Sequence, residues 1–314
     1  MELREVAPSP QQAAHRPDAR WAALERGQPL AGCSLWWREA PPLAGETLGA
    51  VGHFDAVPGG AEGPRALLEH ACAQLAARGA TLAVGPMDGN TWRSYRLVSD
   101  AGSEPPFFLE PWTPLEWNAH FAAAGFAPLA TYHSSLSPNL TQLDERVAAA
   151  AERLKAGGIR LRGLEPARFV EELSRIHELS LESFSRNYLF TPIARDEFVA
   201  QYRAVERYVD PRLTLVGECD GELGGFAFAL PDLLQAQRGA PPDTVVVKTV
   251  AVRAGRKYAG LGAWLTAEVH ARAAEAGFKR AVHALMHDAN NSTNISRRYA
   301  TTLRRYTLYA RRLR

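Results

Sequence analysis

The chain has 314 residues, 46% of them apolar, with 36 basic and 34 acidic side chains. Such a composition fits a globular protein of about two domains and excludes a disordered, collagen-like or acidic-tail sequence. Charged residues make up 22%, and no apolar run approaches the roughly 18 residues that a spanning helix needs, so no membrane passage is expected.

Residues 1–26 carry Glu2, Glu5, Asp18 and Glu25 and lack an apolar stretch, which predicts no signal peptide and, by default, a cytoplasmic protein. Cys33, Cys72 and Cys219 are too widely spaced for a disulfide framework or a zinc cluster and read as buried thiols. Charge is uneven along the chain. Residues 1–157 hold 12 basic and 17 acidic groups, whereas from Lys248 onward there are 14 basic and 3 acidic. That excess points to an anionic partner, a phosphate-bearing small molecule or nucleic acid, or to a solvated Arg-rich surface.

Residues 1–26, rich in Pro, Ala and Arg, predict a loosely ordered arm. Strands are expected at Ala31–Trp37 and Glu46–Phe54, followed by a helix over Arg65–Arg78 that gathers Leu67, Leu68, Ala71, Cys72 and Leu75 and stops at Gly79. A strand at Thr81–Val84 runs into Gly85-Pro86-Met87-Asp88-Gly89-Asn90, and the prolines of 105–114 forbid regular pairing there. Leu115–Ala124 reads as a short helix and Phe126–Ser134 as a strand. Thr141 and Asp144 suggest a capping box that opens a linker helix, ending at Gly157-Gly158.

The second part reads as strand 159–164, helix 166–184, helix 195–208, and a strand pair about the Asp220-Gly221 turn. The Val-rich run Thr244–Val252 suits a strand covered on both faces. A glycine loop, a helix over Leu261–Ala276, a strand at Lys279–Met286, a helix near Ile295–Leu303 and a strand at Tyr306–Tyr309 complete a mixed α/β layout. Strand, helix, Ala-Arg-Gly-Ala at 77–80, strand and Met87-Asp88-Gly89-Asn90 parallel strand, helix, Ala276-Gly277-Phe278, strand and Met286-His287-Asp288-Ala289-Asn290, which argues for two copies of one unit. The units are placed at 27–140 and 158–314, joined by a linker helix at 141–157.

Chemistry concentrates in Thr249–Leu265, where an apolar strand ends, a basic loop turns, and a helix begins at Gly260-Leu261-Gly262. Glycine lets the backbone approach a ligand, and the unpaired N–H groups of a helix's first turn receive anions. Arg256 and Lys257 add charge. The loop is neither a Walker A sequence nor a dinucleotide fingerprint, and as a bare pattern it is also compatible with a tight strand-to-helix turn.

With its context, Lys257-Tyr258-Ala259-Gly260-Leu261-Gly262 resembles the Gln/Arg-x-x-Gly-x-Gly/Ala motif of the GNAT superfamily of N-acetyltransferases, with Lys in place of Gln or Arg. The swap keeps a cation but loses the guanidinium fork. The resemblance covers Ile159–Leu313, and the first half looks like a degenerate copy without the glycine loop, giving a tandem GNAT protein of mixed α+β sheets. It implies acetyl-CoA as cosubstrate, held by Val250, Val252, Arg256, Lys257, Tyr258, Ala259, Gly260, Leu261, Gly262 and Ala263, with Asn291 and Asn294 on the coenzyme arm.

It further implies direct acyl transfer to an amine, with the N–H of Val250 or Val252 on the developing oxyanion and Tyr299, otherwise a packed aromatic, protonating the thiolate. Glu218, His283 and His287 are weaker candidates for proton handling. The polar and aromatic stretches 85–96 and 105–112 line an acceptor site or cover a domain face. No metal motif is present, and nucleic acid is an unlikely partner because the basic excess coincides with the expected coenzyme site. The competing expectation is a CoA-binding or interaction module that has lost its chemistry.

Overall fold

The computed structural model describes residues 1–142, 144–289 and 300–313. Its strands are β1 (Glu2–Glu5), β2 (Ala19–Glu25), β3 (Gln28–Trp36), β4 (Leu48–Ala56), β5 (Leu82–Gly85), β6 (Leu97–Asp100), β7 (Ala127–Ser137), β8 (Arg160–Gly163), β9 (Leu215–Cys219), β10 (Glu222–Pro231), β11 (Thr244–Val252), β12 (Arg280–His287) and β13 (Thr301–Arg312). The helices are α1 (Pro10–Ala14), α2 (Glu62–Ala76), α3 (Glu116–Ala123), α4 (Glu145–Ala156), α5 (Phe169–Phe184), α6 (Arg195–Arg203), α7 (Leu233–Gln237) and α8 (Leu261–Glu275).

All strands join one sheet in the order β1-β2-β3-β4-β5-β13-β7-β12-β11-β10-β9-β8, with β6 paired to β13 off this path. Two parallel pairs stand out. β4 pairs with β5 across α2, and β11 with β12 across α8, so the internal repeat of the sequence is a repeated strand-helix-strand unit. Between the units the halves trade strands. β7, from the first half, pairs with β12 of the second, while β13 reaches back to pair with both β5 and β7.

Side-chain alternation explains how the second unit is layered. Ala227 and Ala229 of β10, with Val245 and Val247 of β11, face α8 and its buried stripe Leu261, Leu265, Val269 and Ala273. Their neighbours Phe226, Phe228 and Leu230 face α5, where Leu173, Ile176 and Leu179 repeat at helical spacing. Small residues beneath α8 let it lie close to the sheet, while large ones fill the space beneath α5. Each Leu, Val or Phe so buried contributes about 1.5–3 kcal/mol.

Several expectations are corrected. Residues 1–26 are not a loose arm: β1 and β2 extend the sheet through pairs such as Glu2↔Leu24 and Ala19↔Leu35, and Ser9 caps α1 in a capping box with Gln12. The linker helix starts at Glu145 rather than Thr141. Asp144 is its cap, accepting from Arg146 N at 2.9 Å, while Thr141 turns to Asn139. Residues 301–303 are strand rather than the end of a helix. Ser135–Ser137 continue β7 past the strand end expected at Ser134.

Candidate functional site

The site begins where β11 leaves β12. Their parallel register runs from Thr244↔Arg280 to Val247↔His283 and stops there. Both strands then distort at one level. Lys248 is skipped in the register with β10, which passes from Phe228↔Thr249 to Ala229↔Val247. On β12 the register with β7 shifts between His283 and Met286, and Leu285 takes a positive φ of 61° while its N–H donates to Ser134 Oγ. The strands diverge, leaving N–H groups of β11 facing a gap. Arg253 N donates to Gly224 O of β10, so alternation turns the N–H groups of Val252 and Val250 the opposite way. Val252 N meets Ser183 Oγ at 3.3 Å.

The glycine loop follows. Gly255 has φ 128°, residues Arg256–Tyr258 form a short 3-10 turn, and Gly260, at φ 89°, opens α8 without a side-chain cap. That conformation suits glycine. Leu261 is core, while Gly262 and Ala263 are half-buried in the first turn. Arg256 and Lys257 are exposed, and Lys257 Nζ lies 5.4 Å from the Tyr258 ring centroid. Tyr258 is turned inward, 5% exposed, with its hydroxyl on Glu222 at 3.3 Å. The linker helix α4 leans on the loop: Arg153 donates to Ala259 O, and a Cβ at Gly260 would stand 3.0 Å from Ala150 Cβ. Asn291, Asn294 and Tyr299 lie outside the described residues.

A cavity of about 660 Å³ opens at the divergence. Lys248, Thr249 and Phe228 come from the β10–β11 side, Leu285 and His287 from β12, residues 91–96 and 109–111 from the first half, and Phe184, Tyr188 and Phe190 from the end of α5 and its following loop. Thus both polar-aromatic stretches of the first half contribute to a cavity between the halves. They are clamped by Trp92 Nε1 to Thr191 O (2.7 Å), Arg93 to Glu197 (2.6 Å) and Phe108 N to Asp232 Oδ1 (2.8 Å).

Charge at the cavity base is unusual. Burial pushes the Lys248 ammonium down to about 7; Arg96 adds to that shift and Glu110 opposes it, while Lys248 Nζ donates to Leu109 O at 2.7 Å. Arg96 is 6% exposed and has φ 73°, and its guanidinium rests on the rings of Tyr95 (4.0 Å) and Tyr132 (4.4 Å). Glu110 is tied to Arg304 Nε at 2.5 Å and to the hydroxyl of Tyr306.

Other proton-handling candidates separate cleanly. Glu218 belongs to an ion network with Arg162 and Arg175, away from the cavity lining. His283 is buried against His270, the two Nε2 atoms 2.9 Å apart. His287 does line the cavity, and burial lowers its pKa. Sequence spacing gave no hint of a second cluster, in which ligand atoms of His15, His53 and Asp88 lie within 4.8 Å of one another. Burial lowers His53 to about 4 and raises Asp88 to about 6, and Arg93 lies alongside, donating to His15 O and Asp88 O.

No family model matches the chain. Over 162 residues it is 26% identical to a bacterial ceramide synthase of Caulobacter vibrioides (strain NA1000 / CB15N), a stretch covering 52% of this chain and 42% of that protein. The chain therefore matches less than half of that relative's length. Among solved structures it resembles a GCN5-related N-acetyltransferase from Sphaerobacter thermophilus, with TM-score 0.54 at 14% identity over 99% of this chain and 96% of that one. It also resembles a tandem GNAT protein from the clavulanic acid biosynthesis pathway, with TM-score 0.51 at 15% identity over 97% and 88%. The fold is that of the GCN5-related N-acetyltransferases, in a tandem arrangement. No helix among the described residues is long and apolar enough to cross a membrane.

Proposed function

We propose that the chain transfers an acyl group from a CoA thioester, acetyl-CoA in the first instance, to the amine of an acceptor held between its halves. The observation that carries this reading is the divergence of β11 from β12 beside the glycine loop, with the interdomain cavity opening at the same point. Here Val250 offers a gap-facing N–H to a developing oxyanion, and the first turn of α8 with Arg256 and Lys257 receives phosphate. The thioester carbon is attacked by the amine nitrogen, the C–S bond breaks, and CoA leaves as thiolate. His287, which lines the cavity and is shifted toward the neutral form by burial, is placed to take the proton of the attacking amine, and Tyr299 is the sequence-based donor to the thiolate.

The relative named as a ceramide synthase leaves the donor's chain length open, since ceramide is itself an N-acyl amide. The test is calorimetry with CoA followed by release of free thiol from acyl-CoA of graded chain length in the presence of an amine panel. One CoA site per chain and amine-dependent thiol release support the reading, and absence of CoA binding refutes it. Binding without turnover would favour the second reading, a coenzyme-binding module. Commitment of Glu110, the carboxylate in the cavity lining, to Arg304 and Tyr306 is the observation on that side.

A further inference from the structure

We propose that the base of the cavity is a carboxylate-binding subsite, in which Arg96, assisted by Lys248, holds an anionic group of the acceptor. The acceptor is then an amine that also bears a carboxylate, such as an amino acid with a large side chain. This rests on reading the cavity as the acceptor site.

The argument starts from unbalanced charge. Three cationic side chains, Arg96, Lys248 and Arg304, surround the single carboxylate of Glu110. That carboxylate is used up: Oε1 accepts from Arg304 Nε and the Tyr306 hydroxyl, and Oε2 from Phe107 N at 3.1 Å. The other lining guanidinium, Arg93, is neutralised by Glu197. Arg96 has no carboxylate within ion-pair distance among the described residues, and no side chain at positions 143, 290–299 or 314 is acidic. Among the described residues its side chain makes one hydrogen bond, Nη1 to Tyr95 Oη at 3.0 Å, and Nε is buried without a partner.

A buried cation left without an anion is costly, and contact with aromatic faces compensates only in part. The missing partner is supplied by the ligand. The rings of Tyr95 and Tyr132 stand nearly perpendicular with centroids 5.5 Å apart and so crowd one corner of the guanidinium, and its remaining N–H groups are those that a planar carboxylate would engage in two parallel bonds. Of the other titratable lining groups, His15 and His287 are shifted toward the neutral form by burial, and burial likewise raises the tyrosines Tyr132, Tyr188 and Tyr202, so these supply no competing anion. The aromatic upper walls suit a large apolar side chain.

Lys248 gives the proposal a signature that a packing role for Arg96 would not produce. An anion beside Lys248 favours the ammonium, so binding near pH 8 takes up a proton. Calorimetry is run in Tris and in HEPES with L-phenylalanine, L-tryptophan and L-leucine, their methyl esters, the decarboxylated amines, O-phosphoethanolamine and sphinganine. The amino acids are expected to bind roughly 10- to 100-fold tighter than their esters and amines. Their binding enthalpies should differ between buffers by the proton taken up.

Arg96→Gln should abolish the preference for the free carboxylate, and Lys248→Met the proton uptake, with CoA affinity unchanged in both. If Arg96→Gln does not fold, the Lys248→Met result decides. Equal affinity for acids and esters, no binding of any amino acid at millimolar concentration, or preference for O-phosphoethanolamine or sphinganine overturns the subsite. CoA titrated into the same samples separates the two ideas. CoA binding without carboxylate preference leaves the acyltransferase reading standing and removes the subsite, whereas carboxylate binding without CoA does the reverse.

Discussion

Arg304 on β13 and Glu110 in the proline-rich loop of the first half lie 2.5 Å apart with both side chains fully buried. Arg304 also donates to the backbone carbonyls of Ala101, Glu104 and Pro105, so one guanidinium fixes a loop that has no ladder bonds of its own. Removing one partner of such a pair strands the other's charge. Glu110→Ala and Arg304→Met should each cost about 3–5 kcal/mol, and an apolar double replacement should cost less than the sum. Urea denaturation of the three variants measures this, and additive losses would show that the residues act independently.

The buried imidazoles His270 and His283 are held at about 4 and about 3 by desolvation. Between those values and the unfolded 6.5, only the unfolded chain binds the protons, so their contribution to stability is complete above pH 6.5 and is lost as pH falls toward 4. The loss is on the order of a few kcal/mol. Lys248 works in another window: its folded pKa near 7 lies below the unfolded 10.5, so stability rises with pH between them. Denaturation midpoints from pH 4 to 10 should show both slopes, with the first flattened in His270→Leu/His283→Leu and the second in Lys248→Met.

Gly260 and Gly262 should respond differently to Val. At Gly260 the φ of 89° and the nearness of Ala150 on α4 predict strain and a lowered melting temperature besides any loss of CoA binding. Gly262 sits within the first turn of α8, where Val imposes no such backbone strain. Gly262→Val should keep its thermal transition and lose CoA affinity at least tenfold. Undiminished affinity in the folded Gly262→Val protein counts against the phosphate role of this turn.

Residues 158–314 expressed alone should be insoluble or only partly folded, because β13 finds its partners β5 and β7 in the first half. Adding residues 1–157 in trans should recover a soluble complex, detectable by size-exclusion chromatography. A monomeric, cooperatively folded second half would contradict this.

Legibility in the sequence followed local physics. The run Thr244–Val252 is β11 to the residue, because both of its faces are covered and every position is apolar or β-branched apart from Lys248. Lys248 is the bulge residue at the cavity, and its place in an otherwise apolar strand went unread in the sequence. The two polar-aromatic loops of the first half read equally as the lining of an acceptor site or as the cover of a domain face, because composition does not say which surface such residues meet, and both contribute to the cavity wall. The strand exchange was not legible, since alternation says which face of a strand is buried and nothing about which strand lies beside it. β1 and β2 were obscured by the prolines between them, whose breaks resemble those of an unstructured leader. Arg96 carried no sequence signal, for an isolated arginine becomes informative only when the absence of its counter-ion is visible.

The exchange of β7 and β13 also sets an order for the newborn chain on the ribosome. The first half emerges with the edge of β5 open and its own last strand destined for a neighbour not yet made, so neither half can close early. Until β13 clears the exit tunnel, about 200 residues after β5, two unpaired edges are exposed to association with other nascent chains. Slow decoding between β12 and β13 would lengthen that exposure, and holdase chaperones that shield strand edges would matter most in that interval.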